Sequence, residues 1–464
     1  MKLSRSGLIP FIELFVLLTV VGVGVIFALC GVLSLNGCIW LTLAILVVTF
    51  CLAWIRFDGG RHPCFLFLGT LLLFQGGRLI GFACDVTDQP MQIVLMSPAP
   101  VSVARGAAEV TLLLLALSSI AVYAPCRLGR RQVRFFSIGG HRWLPAVYTL
   151  IVFTLPFSIY KDLTYLFYIR SHGGYLSVFT NNTELLASAG FSVRALSTIN
   201  ITAILVAYIL ENRRGRLRVI LSIFVLLSSL DMLLGFRGEF FAQVLSIWLI
   251  HKLRTGRRFQ LVPLTVIFVV ASTVAVVTAE ARENQNIELL SPLSFVATQG
   301  NSLNVTEAAV QYHDTFSHFG WSYIWHGFVN GVTPISPGHG ELWTTDLSYF
   351  LNPFAAERGF GTASSYLAEL FLFGGIPAIL AGSLLIGLAF SCIYRFSDRF
   401  GGALILLFVL PSLIYLPRLE LLAPLAILVK SLVSFGLIVC FIYCYQCFAA
   451  FVRMACSEIS GVSE

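Results

Sequence analysis

The sequence predicts an all-α polytopic membrane protein, and three observations lead there. Of the 464 residues, 57% are hydrophobic and only 11% are charged, with a mean hydropathy of +0.87, well outside the range of soluble domains. Apolar runs long enough to cross a bilayer recur from one end of the chain to the other, and in hydrocarbon only helices and closed barrels satisfy their own backbone hydrogen bonds. The runs are continuous instead of alternating, which selects helices over a barrel.

Twelve spans follow, at 8–30, 37–55, 63–84, 106–125, 144–160, 189–210, 219–235, 239–250, 261–279, 364–394, 402–417 and 421–446. The opening MKLSRSG with its apolar run to Cys30 is longer than a signal peptide and has no small-residue cleavage site, so it reads as a retained first helix. Orientation comes from charge. The amino terminus, the tail and the loops at 56–62, 126–143, 211–218, 251–258 and 395–401 fall on one side and hold 20 of the 30 Lys and Arg. Dense basic stretches such as CRLGRRQVRFF and ENRRGRLR translocate poorly, which places that side, with both chain ends, in the cytoplasm. The net charge of +7 is then a product of topology, and no nucleic-acid partner is expected.

The chain reads as one helical domain, 1–464, carrying two outer segments at 161–188 and 280–363. Both are rich in Gly, Asn, His and aromatic residues. A connection as long as the second is usually functional in a compact domain. Aromatic faces with amide and carboxylate partners suit a carbohydrate, while an interfacial aromatic belt accounts for part of the same composition. The sequence shows no internal repeat, which speaks against a transporter built on repeated halves.

The eleven cysteines form neither a disulfide framework nor a CxxC pair. Cys440, Cys444 and Cys447 share a helical face, a spacing open to metal or lipid attachment but read here as small packing residues. His313, His318, His326 and His339 lie in the large outer segment without HExxH or similar spacing, so no metal and no cofactor is expected.

Ten basic residues remain away from the cytoplasmic loops, and four arginines among them, Arg194, Arg237, Arg282 and Arg418, fall at the outer boundary of their spans. Arg237 lies in GFRGEFF, between two short apolar runs that must form a hairpin. An isolated charge in a span costs roughly 2.5 to 3.5 kcal/mol at the helix centre, so a cluster calls for an anionic partner. A lipid diphosphate is one, since the guanidinium fork pairs with two phosphate oxygens at once. Snorkelling to water, or neutralisation by Glu239 and Glu420, is the alternative. Glu369, in GFGTASSYLAELFLFGG, is an intramembrane carboxylate and so either functional or half of a structural ion pair. Asp231, Lys430 and Arg78 carry the same ambiguity.

HGGYLSVF, GFRGEFF, SFVATQGNSLNV, GTASSYLAELFLFGGIPA and YLPRLELL occur in that order between Lys161 and Lys430. Together they resemble stretches of the Wzy-type O-antigen and oligosaccharide repeat unit polymerases. The resemblance implies a GT-C-like membrane glycosyltransferase in the bacterial inner membrane, with its site facing the periplasm. It implies transfer of a growing glycan from one undecaprenyl diphosphate to the non-reducing end of a second lipid-linked repeat unit, without a metal. On that reading Arg194, Arg237, Arg282 and Arg418 bind diphosphate, with Arg237 and Arg282 the catalytic pair, and Glu369, Asp346 or His339 acts as base or positions the acceptor. A chain-length regulator is the implied partner. An O-antigen ligase and a lipid-linked oligosaccharide flippase are the competing functions. The ligase is disfavoured because TASSYLAEL stands where a ligase-like His segment is expected.

Overall fold

The computed structural model describes residues 22, 33–57, 60–86, 91–93, 101–128, 136, 142–172, 182–234, 237–256, 292–333, 338–357 and 361–461. Its helices, in chain order, are α1 (Leu35–Arg56), α2 (Pro63–Phe74), α3 (Gly77–Ala83), α4 (Arg105–Leu128), α5 (Leu144–Ser171), α6 (Asn182–Ser188), α7 (Phe191–Leu210), α8 (Arg214–Leu233) and α9 (Arg237–Thr255). Then come α10 (Pro292–Gln299), α11 (Ser302–Gln311), α12 (His313–Phe316), α13 (Gly320–Val332), α14 (Trp343–Leu351), α15 (Pro353–Glu357), α16 (Tyr366–Phe396), α17 (Phe400–Tyr415) and α18 (Ala423–Gly461). A short antiparallel pair, β1 (Gln92–Ile93) with β2 (Val101–Ser102), lies between α3 and α4.

Among the described residues seven helices, α1, α4, α5, α7, α16, α17 and α18, are each long and apolar enough to cross a membrane, and the bent pair α2–α3 makes an eighth candidate. The chain is therefore an all-α multi-pass membrane protein. The spans expected at 8–30 and 261–279 lie outside the described residues. The spans expected at 219–235 and 239–250 correspond to α8 and α9, which carry arginines and a lysine in their terminal turns. α1, α4, α5 and α18 run past expected ends. α5 continues to Ser171, so the first part of segment 161–188 is helical, with Lys161 and Asp162 paired at 2.9 Å. Helical hydrogen bonding does not stop where the hydrocarbon does, so hydropathy underestimates such helices.

The basic ends of the helices are tied together. Arg254 bonds the Tyr208 and Glu211 carbonyls, Arg61 bonds the Gly256 carbonyl, Arg56 donates to the Arg127 carbonyl at 3.2 Å, and the Phe136 amide donates to the Ser397 carbonyl at 2.9 Å. Capping follows sequence signals: Ser34 accepts the Gly37 amide ahead of α1, and His62 with Pro63 opens α2. Within the bundle, hydroxyls stitch α4 to α16. Ser118 bonds Tyr366 at 2.6 Å and Ser383 at 2.7 Å, and Ser391 donates to the Pro125 carbonyl. The cysteine face at Cys440, Cys444 and Cys447 is exposed. The sequence reading expects them to pack, and among the described residues α18 leaves this largely apolar face uncovered.

Two breaks shape the end opposite the basic one. α2 and α3 meet at an angle of 59° around Gln75 and Gly76. α16 is interrupted at Gly374 and Gly375, where Gly375 adopts φ +62° and ψ −149°. An L side chain is strained in that region, so Gly375→Ala is expected to cost about 1 to 3 kcal/mol. The check is the unfolding temperature of the detergent-solubilised protein, and an unchanged value would mean that the break tolerates a Cβ.

Candidate active site

At the break between α2 and α3 the helix releases its polar groups, and Gln75, fully buried, turns them to use. Its amide nitrogen donates to Ser365 Oγ and to the Pro417 carbonyl, both at 2.9 Å, and its oxygen accepts from Thr306 at 3.3 Å. One side chain thus joins α2, α11, the start of α16 and the turn after α17. Ser365 is also the N-cap of α16, accepting the Leu367 amide. Next to Gln75, α3 and α10 touch backbone to backbone. A Cβ on Gly77 would lie 2.4 Å from the Val296 carbonyl oxygen, and one on Gly300 would lie 2.2 Å from the Arg78 amide nitrogen. This approach delivers buried Arg78 to Asn304, which in turn donates to Glu307 at 2.7 Å. Burial pushes Glu307 up to about 7, against the opposing influence of Asn304 and Arg78.

Glu369 stands one turn into α16, 1% exposed. One oxygen accepts from Ser364 Oγ and the other from the Leu421 amide, each at 2.8 Å. Among the described residues it forms no ion pair. Its charged neighbour is Glu420, another carboxylate, which burial pushes up. No described arginine takes the place of an ion-pair partner for Glu369. Arg418 donates to Gln299 at 3.0 Å, lies over the Phe74 ring, and pairs with no carboxylate among the described residues.

His339 and Asp346 form a dyad. The His339 Nδ1–H donates to Asp346 Oδ1 at 2.9 Å, while Oδ2 accepts the Tyr323 hydroxyl and the Gly340 amide, both at 2.8 Å. Asp346 is 3% exposed in its side chain and His339 is 74% exposed. An imidazole that donates from Nδ1 to a carboxylate has, in its neutral form, Nε2 left as its acceptor. Burial and the carboxylate together push the Tyr323 phenol up, so it stays a donor. α13 links this dyad to the carboxylates: Tyr323 holds Asp346, and one turn further Gly327 lies against Glu420. Trp343 and Leu347 of α14 share an apolar cluster with Ala368 and Leu372 of α16.

The arginines are placed unequally. Arg237 opens α9, and Gly238 after it packs on Tyr415, where a Cβ would meet the phenolic oxygen at 2.0 Å. This sets the start of α9 against the end of α17, three residues before Arg418. Arg194 stands in the first turns of α7 near Tyr165, its Nε buried without a hydrogen-bond partner among the described residues. No hydrogen bond or ion pair joins it to Glu369, Asp346 or Arg418 among those residues. Arg282 lies outside the described residues. Sequence reasoning missed Gln75, Tyr323, Asn304 and Glu307. Gln75 was detectable as an amide beside paired glycines within an apolar run.

Among the described residues, one group has metal-ligand chemistry: His62, Cys64 and Cys126, buried, with donor atoms within 4.8 Å of one another. It lies at the basic end, remote in sequence from the dyad. His62 Nδ1 already accepts the Cys64 amide as the cap of α2, which leaves the neutral ring an N–H rather than a second lone pair for an ion.

No curated protein and no solved structure matches the chain. The family description O-antigen polysaccharide polymerase Wzy matches residues 9–450, which takes in the bent α2–α3 pair, the dyad and the broken α16. With nearly its whole length matched, the chain belongs to the O-antigen polysaccharide polymerase Wzy family.

Proposed function

We propose that this polymerase joins undecaprenyl-diphosphate-linked repeat units at the periplasmic face of the inner membrane, using His339 as general base. The family acts as a polymerase on lipid-linked oligosaccharide repeat units. The observation that carries the finer reading is the exposed His339 held by buried Asp346, on the same end of the bundle as Glu369 and Arg418. In the step, the acceptor sugar hydroxyl gives its proton to His339 Nε2 as its oxygen bonds to the donor's anomeric carbon. The bond from that carbon to the diphosphate oxygen breaks, and the lipid diphosphate leaves with the electron pair. Asp346 stabilises the imidazolium that forms. Arg237, Arg282 and Arg418 are assigned to the diphosphate, where fixed guanidinium groups meet the charge that develops on the leaving oxygens. Arg194 serves the same anion from the start of α7. Glu369, satisfied by Ser364 and the Leu421 amide, positions the turn that carries Arg418.

The same reading takes the basic end as cytoplasmic, with twelve helices in a GT-C-like architecture, both chain ends inside and a chain-length regulator as partner. Arg237→Ala in cells lacking the native gene is the test, with surface polysaccharide resolved on a gel and insertion checked by immunoblot. Collapse of the long-chain ladder to single-repeat chains is expected. An unchanged ladder would remove Arg237 from the mechanism. Loss of the single-repeat chain as well would point to ligation or flipping.

A further inference from the structure

At the basic end, α5, α7 and α8 enclose a groove of about 600 Å³ lined by Tyr148, Ile151, Val152, Ile204, Val219 and Ile220. It opens sideways, because Val152 and Val219 on its rim are 72% and 59% exposed. α5 and α7 are both long and apolar enough to cross a membrane, and with both as spans the opening faces hydrocarbon and not water. The groove has one charged wall, at its end. Arg216 stands there beside the Tyr148 ring and 3.5 Å from Glu211. Glu211 is the sole carboxylate in the connection between α7 and α8, and it is already engaged by the Tyr148 hydroxyl at 2.5 Å and by the Asn212 and Arg213 amides. Against it stand Arg213, Arg214, Arg216 and Arg218, all exposed. Among the described residues Arg213, Arg214 and Arg218 form no ion pair.

An apolar slot open to lipid, closed at the membrane surface by a surplus of guanidinium groups, has the charge and polarity of an anionic phospholipid in reverse. We propose that this groove binds such a lipid from the leaflet at the basic end, with an acyl chain between α5 and α8 and its phosphate on Arg216 and the neighbouring arginines. A zwitterionic lipid fills the slot equally well but brings its own cation to the arginines, so the preference is electrostatic. The polyprenyl substrate is a poor occupant, because the residues assigned to its diphosphate stand at the opposite end of the bundle. Only the exclusion of the polyprenyl substrate rests on the proposed function; the groove and its arginines stand without it.

The full-length protein, purified in mild detergent and stripped of lipid, would be titrated with phosphatidylglycerol, phosphatidylethanolamine or undecaprenyl phosphate and followed by native mass spectrometry and thermal unfolding. Phosphatidylglycerol is expected to bind with a stoichiometry of one and to raise the unfolding temperature, and phosphatidylethanolamine to do so weakly. Each of Arg214→Gln and Arg216→Gln should weaken phosphatidylglycerol binding about fivefold. Because Arg216 also touches Glu211, Val219→Trp serves as a second variant that fills the groove and leaves every charge in place. It should abolish the bound lipid. Equal binding of the two phospholipids, undiminished binding by Val219→Trp, or a preference for undecaprenyl phosphate would each overturn the proposal.

Discussion

Asp346→Asn is expected to cut repeat-unit polymerisation by a factor of about 10² to 10⁴ while leaving the protein inserted at normal levels. Asn keeps the volume of Asp346, and its amide oxygen still accepts the Tyr323 hydroxyl and the Gly340 amide that Oδ2 accepts now. What changes is the group facing His339. The Asn amide nitrogen donates where Oδ1 accepted, so Nδ1 must accept and the ring proton moves to Nε2. The atom assigned to take the acceptor proton then has no lone pair to take it with. His339→Ala should lose as much, and the double variant no more than either, since the two residues act as one unit. Chain-length distribution and turnover with lipid-linked repeat units would be measured together. A normal ladder from either single variant would exclude the dyad from catalysis. A fall in protein level with normal turnover per molecule would assign it a folding role instead.

The largest effect on assembly is expected at Gly300. A Cβ there would lie 2.2 Å from the Arg78 amide nitrogen and 2.8 Å from the Gly77 carbonyl carbon, both backbone atoms with no rotamer to yield. Gly300→Val must therefore push α10 off α3, separating Arg78 from Asn304 and leaving buried polar groups without partners. Overpacking costs about 1 to 3 kcal/mol, and each stranded buried group about 1 to 3 more. The expected result is loss of the inserted protein on immunoblot. Normal insertion with activity would show that the two backbones have room to separate.

The membrane character was legible because it depends on summed hydropathy, which survives ignorance of contacts. Candidate residues were legible one at a time. Asp346 and His339 stood out as polar residues in a long segment, and Glu369 as a carboxylate in an apolar helix. Their relations were not. Nothing in the sequence says that Glu369 meets the Leu421 amide 52 residues away, because an amide partner leaves no charge pattern to read. Tyr323 escaped for the same reason, since a buried phenol on a helix looks like core until its hydroxyl is seen on Asp346. Helix lengths were underestimated wherever helices outran the hydrocarbon, as α5 does.

Gln75 and the Pro417 carbonyl are 342 residues apart. At ordinary synthesis rates of 5 to 20 residues per second, roughly 20 to 70 seconds separate the emergence of the two. During that interval the bent α2–α3 pair sits in the membrane with a buried amide awaiting acceptors that the ribosome has not yet made. The hub is thus among the last parts of the molecule to close. A nascent chain arrested before α17 presents an unfinished polar face to the bilayer.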